Sequence, residues 1–171
     1  MKSLFPLFML LTFSTPSFLS AEESAEFIQT PYKAQKVVFD FYLDDPEKMS
    51  TALYWLRSLI NPMTAQPYSI APDFHDIKVV VHGTELVTLA KKNYKKYKTV
   101  VDRMRYYTEF GVEFRVCSMA MKDFDYEIKD LHEYVQVVPS AITEIAHWQL
   151  NGYALIIPQV PTKKFSIDEI R

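Results

Sequence analysis

Five short runs of β-branched and aromatic residues constrain the fold of this chain more than any other feature. Among these runs, the first is nearly continuous in its apolar character, which is typical of a strand buried on both faces of a parallel sheet. Segments with helical or turn character separate them, and this alternation predicts an α/β fold, a three-layer sandwich around a mainly parallel five-stranded sheet. The predicted strands are residues 36–43, 77–81, 112–117, 135–138 and 153–157.

Helix signals fill the segments between these strands. The first helix follows an aspartate cap at Asp45, with Pro46 in its first turn and Glu47 at the positive end of the helix dipole. Apolar residues at helical spacing continue it to Ile60, and Pro62 predicts that a loop follows. Further helices are predicted at residues 84–92, 95–110, 125–132 and 140–150.

Composition excludes several classes of protein. The chain has 171 residues, is 49% hydrophobic and contains only 3 glycines, so it has the apolar content of a folded domain rather than of a disordered chain. Its 19 basic and 21 acidic residues give a net charge of −2, so no overall positive charge attracts nucleic acid or an anionic membrane. The lysine-rich stretch at residues 91–98 is interpreted as a solvated helix face, and no nucleic-acid partner is predicted.

The first 21 residues have the order of a secretory signal peptide. Lys2 gives a positive start, residues 4–13 form an apolar run too short to span a bilayer comfortably, and Ala21 offers a small residue for cleavage. The chain is therefore predicted to be exported, to the periplasm or the medium, with no membrane segment after cleavage. Residues 22–33 are predicted to be a flexible lead, 34–158 a single α/β domain, and 159–171 a mixed-charge tail without a clear role in the core.

Cys117 is the only cysteine, so no disulfide can form within the chain. It ends the third predicted strand, where alternation places it on the same face as Glu113 and Arg115. Ligands of parallel sheets bind beyond the carboxyl ends of the strands, so a thiol there is a candidate for chemistry. Cys117 is interpreted as a reactive thiol, with two alternatives left open: an inert buried residue or a partner in an intermolecular disulfide.

His82 ends the second predicted strand and is the candidate partner of the thiol. If the second and third strands are neighbours, His82 and Cys117 emerge at the same rim, and the imidazole can act as a base for the thiol or orient it. Arg115, two residues from the cysteine, would favour the thiolate anion. The alternative for His82 is a ring that only satisfies backbone groups in the turn. The predicted catalytic residues are Cys117, His82 and Arg115.

A metal site is only weakly indicated. Glu144 and His147 are three residues apart on a predicted helix, but a metal site needs three or four ligands and no further ligand cluster accompanies them. No glycine-rich phosphate loop is present in the sequence. Neither a metal nor a cofactor is therefore predicted.

Several phrases of the sequence together resemble the DsrE/DsrF-like family of sulfur-relay proteins. They cover about residues 34–158, and they are Val79-Val80-Val81-His82-Gly83, Gly111-Val112-Glu113-Phe114-Arg115-Val116-Cys117, Val137-Val138-Pro139-Ser140, Glu144-Ile145-Ala146-His147-Trp148-Gln149 and Gly152-Tyr153. The resemblance implies a five-stranded parallel sheet and assembly into homotrimers or hexamers. It also implies a persulfide on the cysteine that matches Cys117, with His82 nearby. The predicted signal peptide places the chain in an exported branch.

Two functions follow as expectations. In the first, Cys117 carries sulfane sulfur as a persulfide and passes it to a thiol of a partner, so that the protein is a sulfur carrier rather than a turnover enzyme; a sulfur donor or acceptor protein is then the expected partner. In the second, the chain is a non-catalytic module that binds a small ligand or serves in assembly while it retains the fold.

Overall fold

Five parallel strands form the central sheet of the protein, as the apolar runs predict. The computed structural model describes residues 24–171, so the predicted signal peptide lies outside the described residues. The strand order is β4-β3-β2-β1-β5, and every pairing is parallel. The strands are β1 (Lys36–Phe41), β2 (Asp76–Val81), β3 (Glu113–Cys117), β4 (Val135–Val138) and β5 (Ala154–Ile156).

Helices cover both faces of the sheet, which confirms the three-layer α/β architecture. On one face α1 and α2 bury apolar side chains against the strands, and on the other face α4 packs against β1 and β2. No helix in residues 24–171 combines the length and apolar character that crossing a membrane requires. The helices are α1 (Met49–Thr64), α2 (Tyr94–Thr108), α3 (Ser118–Asp123), α4 (Ala141–Leu150) and α5 (Ile167–Ile170).

The larger core lies between the sheet and the α1–α2 layer. Phe39, Phe41 and Phe114 are fully buried there, with Leu53 of α1 and Met104 of α2 packed in the same cluster. Residues 31–171 group into one unit by their contacts, and the described residues before it, 24–30, form neither helix nor strand. The core is therefore formed mainly by the strands of the sheet and by α1 and α2.

The prediction that Pro62 begins a loop is wrong, because α1 continues through Pro62 to Thr64. A proline in the last turn of a helix removes only one backbone hydrogen bond, here the one to the carbonyl of Ser58. Ser58 is exposed, so water can satisfy that carbonyl, while Met63 is buried and holds the last turn against the core.

Two predicted helices are also wrong in type or place. The segment 84–92 forms two short 3-10 turns, Thr84–Leu89 and Lys91–Asn93, because Ala90 between them is extended and pairs with Leu131. Of the predicted helix 125–132, only a 3-10 turn at Ile128–Asp130 is formed. The helix instead precedes it as α3, and Asp125, with a φ of 55°, lies in the left-handed region that ends a right-handed helix.

A buried carboxylate connects the segments that follow β1 and β2. Glu85 is 0% exposed, and its Oε2 accepts a hydrogen bond from the backbone N–H of Leu43 at 2.9 Å. Its Oε1 accepts from the N–H of Gly83 at 2.9 Å and from that of His82 at 3.3 Å. Burial raises the pKa of Glu85 above its ordinary value, although these backbone N–H groups act to lower it. One side chain thus fixes both strand ends.

We predict that Glu85→Gln lowers the free energy of unfolding by about 1–3 kcal/mol, because the amide N–H₂ would face backbone donors and leave them unbonded. The raised pKa means that the folded protein binds this proton more tightly than the unfolded chain does. The contribution of Glu85 therefore falls as the pH rises from its ordinary pKa through the raised one. Urea unfolding at several pH values should show the stability gap between wild type and variant narrowing as the pH rises.

Glu109→Gln is the matched control, since Glu109 is exposed at the end of α2. The account is contradicted if the difference in free energy of unfolding between wild type and Glu85→Gln grows as the pH rises. It is also contradicted if that difference is no larger than the one for Glu109→Gln.

Candidate functional site

A cavity of about 460 Å³ opens at the carboxyl edge of the sheet, where ligands of parallel sheets bind. We call it the rim cavity. Tyr42 and His82, which follow β1 and β2, form one wall, and Phe124 at the end of α3 lies on another. The segment after β5 also contributes, and Val160 of the predicted tail both lines the cavity and packs against the core. The volume suits a small organic molecule.

His82 is held in this wall by two contacts. Its Nε2 lies 2.7 Å from Oδ1 of Asp40, and its ring stacks on Tyr42 with centroids 4.8 Å apart. Because the carboxylate can only accept, it selects the tautomer with a proton on Nε2, and Nδ1 is left with the lone pair. The ring is therefore bonded to a carboxylate rather than to backbone groups of the turn, and its Nδ1 can receive a proton.

Asp40 is the residue of this pair that sequence reasoning missed. It lies within the apolar run of β1, where a carboxylate is out of keeping with the burial of its neighbours. A charged residue within this apolar run was the sequence signal that could have identified Asp40 as a site residue. Its partner is 42 positions away along the chain, so the pair forms only because β1 and β2 are adjacent and parallel.

Cys117 lies at the neighbouring strand end. In the register of β2 with β3, Val81 is opposite Val116, so His82 and Cys117 occupy the next positions along the two strands. The structure therefore brings these two predicted residues to the same rim. No hydrogen bond joins the His82 ring to the thiol in the described part of the chain.

The surroundings of the thiol are apolar. Cys117 is 6% exposed and does not line the rim cavity. Ala120 of α3 packs against the cluster that contains the thiol, and it also lines the cavity. One small side chain therefore lies between the thiol's cluster and the space beside His82. We call this group the thiol cluster, and its buried members are Val38, Val80, Cys117, Ala141, Ile145 and Tyr153.

Arg115 shares the α4 face with Cys117 but is engaged elsewhere. Its Nη1 donates to Oε1 of Glu144 at 2.5 Å, and its Nη2 and Nε donate to Oε2 of Glu113 at 2.5 and 3.2 Å. Its guanidinium also lies 4.8 Å from the ring centroid of Trp148. The structure thus brings Cys117 and His82 to one rim, while the charge of Arg115 is compensated by two carboxylates.

A half-buried ionic network ties α4 to the sheet. Lys78 pairs with Asp76 at 2.7 Å and with Glu113 at 2.5 Å, and its ammonium lies 4.8 Å from the ring centroid of Trp148. The indole Nε1 of Trp148 donates to Oε1 of Glu144 at 2.6 Å. The carboxylate of Glu144 thus accepts hydrogen bonds from Trp148 of its own helix and from Arg115 of β3. Within residues 24–171 no group of three or more metal-ligating side chains is arranged to hold a metal ion.

Gly83 allows the segments that follow β1 and β2 to pack closely against each other. A Cβ at this position would lie 2.5 Å from the backbone N and O of Leu43 and 2.5 Å from Oε2 of Glu85, which is closer than real Cβ atoms approach. Glycine is therefore required here for space, so that the segment after β2 can lie against the segment after β1. In this His-Gly pair, His82 forms part of the cavity wall, and Gly83 makes the close backbone contact that positions it.

Comparisons with known proteins agree with this architecture. The model of the DsrE/DsrF-like family matches residues 36–158. A solved structure of a protein of unknown function from Methanobacterium thermoautotrophicum is similar, with a TM-score of 0.58 and 26% sequence identity, over 72% of this chain and 99% of that chain. The comparison with curated proteins finds no match. The chain belongs to the DsrE/DsrF-like family.

Proposed function

We propose that this protein handles sulfane sulfur and that Cys117 carries it as a persulfide. The observation that supports this most is the position of the only cysteine. In a chain of the DsrE/DsrF-like family, it ends β3 beside the strand end that bears His82. Among the described residues, Ala120 both packs against the cluster of the thiol and lines the rim cavity. A small sulfur donor in that cavity would therefore lie next to this cluster.

The proposed transfer needs no external oxidant. The thiolate of Cys117 attacks the outer sulfur of a donor persulfide, a new S–S bond forms, and the donor's S–S bond breaks to release the donor as a thiolate. An acceptor thiolate then attacks the outer sulfur on Cys117, takes it, and releases the Cys117 thiolate. His82 receives the thiol proton at Nδ1 and returns it, and Asp40 holds the ring in the required tautomer.

The burial of Cys117 limits how the reaction occurs. The thiol is 6% exposed and does not line the rim cavity, so a donor bound in the cavity cannot reach the sulfur directly. Exchange therefore takes place when α3 moves and the rim cavity extends to the thiol. The same burial keeps a bound persulfide away from bulk oxidants between the two transfers, since oxidation of sulfur follows its exposure.

The proposal also includes export and assembly. We infer export from the sequence of residues 1–21, and a homotrimer or hexamer with a sulfur donor or acceptor protein from the resemblance to the family.

Export predicts that protein recovered from the periplasm or medium of the native host begins at Glu22, since cleavage follows Ala21. Intact mass spectrometry of that protein checks this. Recovery of the chain from the cytoplasm with its first 21 residues intact contradicts it.

Sulfur uptake is tested by intact mass after incubation of the folded protein with inorganic polysulfide. We expect a gain of about 32 Da per sulfur atom, reversed by a mild reductant. Because Cys117 is the only cysteine, the gain should be absent in Cys117→Ala, which also keeps the thiol cluster apolar. His82→Asn should slow uptake by about 100-fold through the loss of the base.

His147→Asn is the matched control, because His147 is exposed on α4 and does not line the rim cavity. The proposal fails if folded wild type gains no sulfur, or if the gain survives in Cys117→Ala.

A second candidate function rests on the burial itself. A thiol that is 6% exposed beside a cavity walled by Tyr42, His82 and Phe124 also suits a module that binds a small ligand without using the sulfur. Failure of folded wild type to gain sulfur in the experiment above selects this function over the first.

A further inference from the structure

Two further cavities are lined mainly by residues of α1 and α2. The first has a volume of about 490 Å³ and the second about 700 Å³, and they share Arg57, Tyr106 and Tyr107 as lining residues. Because these three residues line both cavities, we consider the two as one site and call it the arginine groove. None of its lining residues forms part of the rim cavity.

The charge of this groove is positive and locally uncompensated. Arg57 of α1 and Arg103 of α2 both line the first cavity, and no carboxylate lines either cavity. Among the described residues, neither guanidinium takes part in an ion pair. This contrasts with Arg115, which has two carboxylate partners. Within residues 24–171, two arginines without an ion pair thus line one concave surface of a chain whose net charge is −2.

The hydrogen-bond donors of these arginines are largely available. Arg103 uses only Nη1 within the described residues, donating to the backbone O and to Oγ of Ser50 at 3.1 Å each. This bond fixes the guanidinium at the groove. Arg57 has its guanidinium 5.9 Å from the ring centroid of Tyr54. Guanidinium groups bind phosphate and carboxylate through paired N–H donors, so the two together favour an anionic group.

Aromatic surfaces lie next to these charges. Tyr54 and Tyr106 are 56% and 54% exposed, although each lines the first cavity. Tyr106 packs edge-on against Phe110, with centroids 4.8 Å apart, and this contact orients its ring in the second cavity. Exposed tyrosine faces stack on flat rings, and each such contact contributes to binding without requiring a particular base or substituent.

We propose that the arginine groove binds a small molecule that joins an anionic group to an aromatic ring. Arg57 and Arg103 bind the anionic group, and the hydroxyls of Ser50 and Thr51 are placed to add hydrogen bonds. Tyr106 stacks on the ring. The two sources of this chemistry are a nucleoside phosphate and an aromatic carboxylate. The site is separate from Cys117 and does not rest on the sulfur function.

Isothermal titration calorimetry of the purified protein tests this with adenosine monophosphate and with indole-3-acetate as the two probes. We expect at least one of them to bind. Binding of the first indicates a phosphate ligand, and binding of the second a carboxylate ligand. Adenosine and inorganic phosphate, tested separately, should each bind about tenfold more weakly than the nucleotide, because each lacks one half of the recognised group.

Substitutions locate the site. Arg57→Gln and Arg103→Gln should each weaken the bound probe by about tenfold through the loss of a charge-assisted hydrogen bond. Arg105→Gln is the matched control, since Arg105 is exposed on α2, pairs with Asp102 and lines neither cavity. Circular dichroism checks that each variant is folded, and Tyr106→Leu tests the stacking contact.

Three results overturn the proposal. The first is that neither probe binds the folded protein. The second is that binding is unchanged in Arg57→Gln and Arg103→Gln, or weakened equally in Arg105→Gln, which means that the probe lies elsewhere. The third is that inorganic phosphate binds as tightly as the nucleotide, since the aromatic half then contributes nothing.

Discussion

The carboxylate of Glu85 is the interaction on which the rim of this protein depends. Parallel strands end with their backbone groups directed toward the same edge, and the segments that leave β1 and β2 must find partners for those groups. Glu85 supplies acceptors for three backbone N–H groups at once, from Leu43, His82 and Gly83. Gly83 permits the close approach that these bonds require. The position of His82, and with it one wall of the rim cavity, follows from this arrangement.

The face of the sheet that α4 covers has an apolar part and a charged part. Toward the carboxyl ends of the strands, Ala141 and Ile145 of α4 pack in the same apolar cluster as Cys117. Elsewhere on the same face, Arg115 and Lys78 bind carboxylates around Trp148. Such a network holds the helix in one position, because each charge has a defined partner. In the proposed mechanism α4 stays in place, and α3, which carries Ala120, is the element whose movement exposes the thiol.

Much of the fold could be predicted from the sequence, because strand-forming runs and glycine stops are local signals. The five strands and the length of α2 follow from them, whereas the predicted cap at Asp45 begins a 3-10 turn, Pro46–Lys48, and α1 starts after it at Met49. The end of α1 could not be predicted, since whether a helix continues past Pro62 depends on the burial of Met63 in the core. The 3-10 turns at residues 84–93 likewise depend on tertiary pairing of Ala90.

The site was predictable only in part, for the same reason. Strand ends and alternation place His82 and Cys117 at one rim, but Asp40 joins His82 only through the pairing of β1 with β2. The apolar surroundings of the thiol come from α4, and the partners of Arg115 come from β3 and α4. Contacts such as Arg115 with Glu144, or Asp40 with His82, join elements far apart in sequence, so the sequence pattern does not identify the partner.

The central claim is that the thiol of Cys117 becomes accessible from the rim cavity while the protein stays folded. The most direct test is the rate of alkylation of Cys117 by iodoacetamide over urea concentrations below the unfolding transition. Local opening of α3 predicts a measurable rate that urea hardly changes, because little surface is exposed in the opening. A rate that rises in step with the population of unfolded chains would contradict the account, since the thiol would then react only after global unfolding.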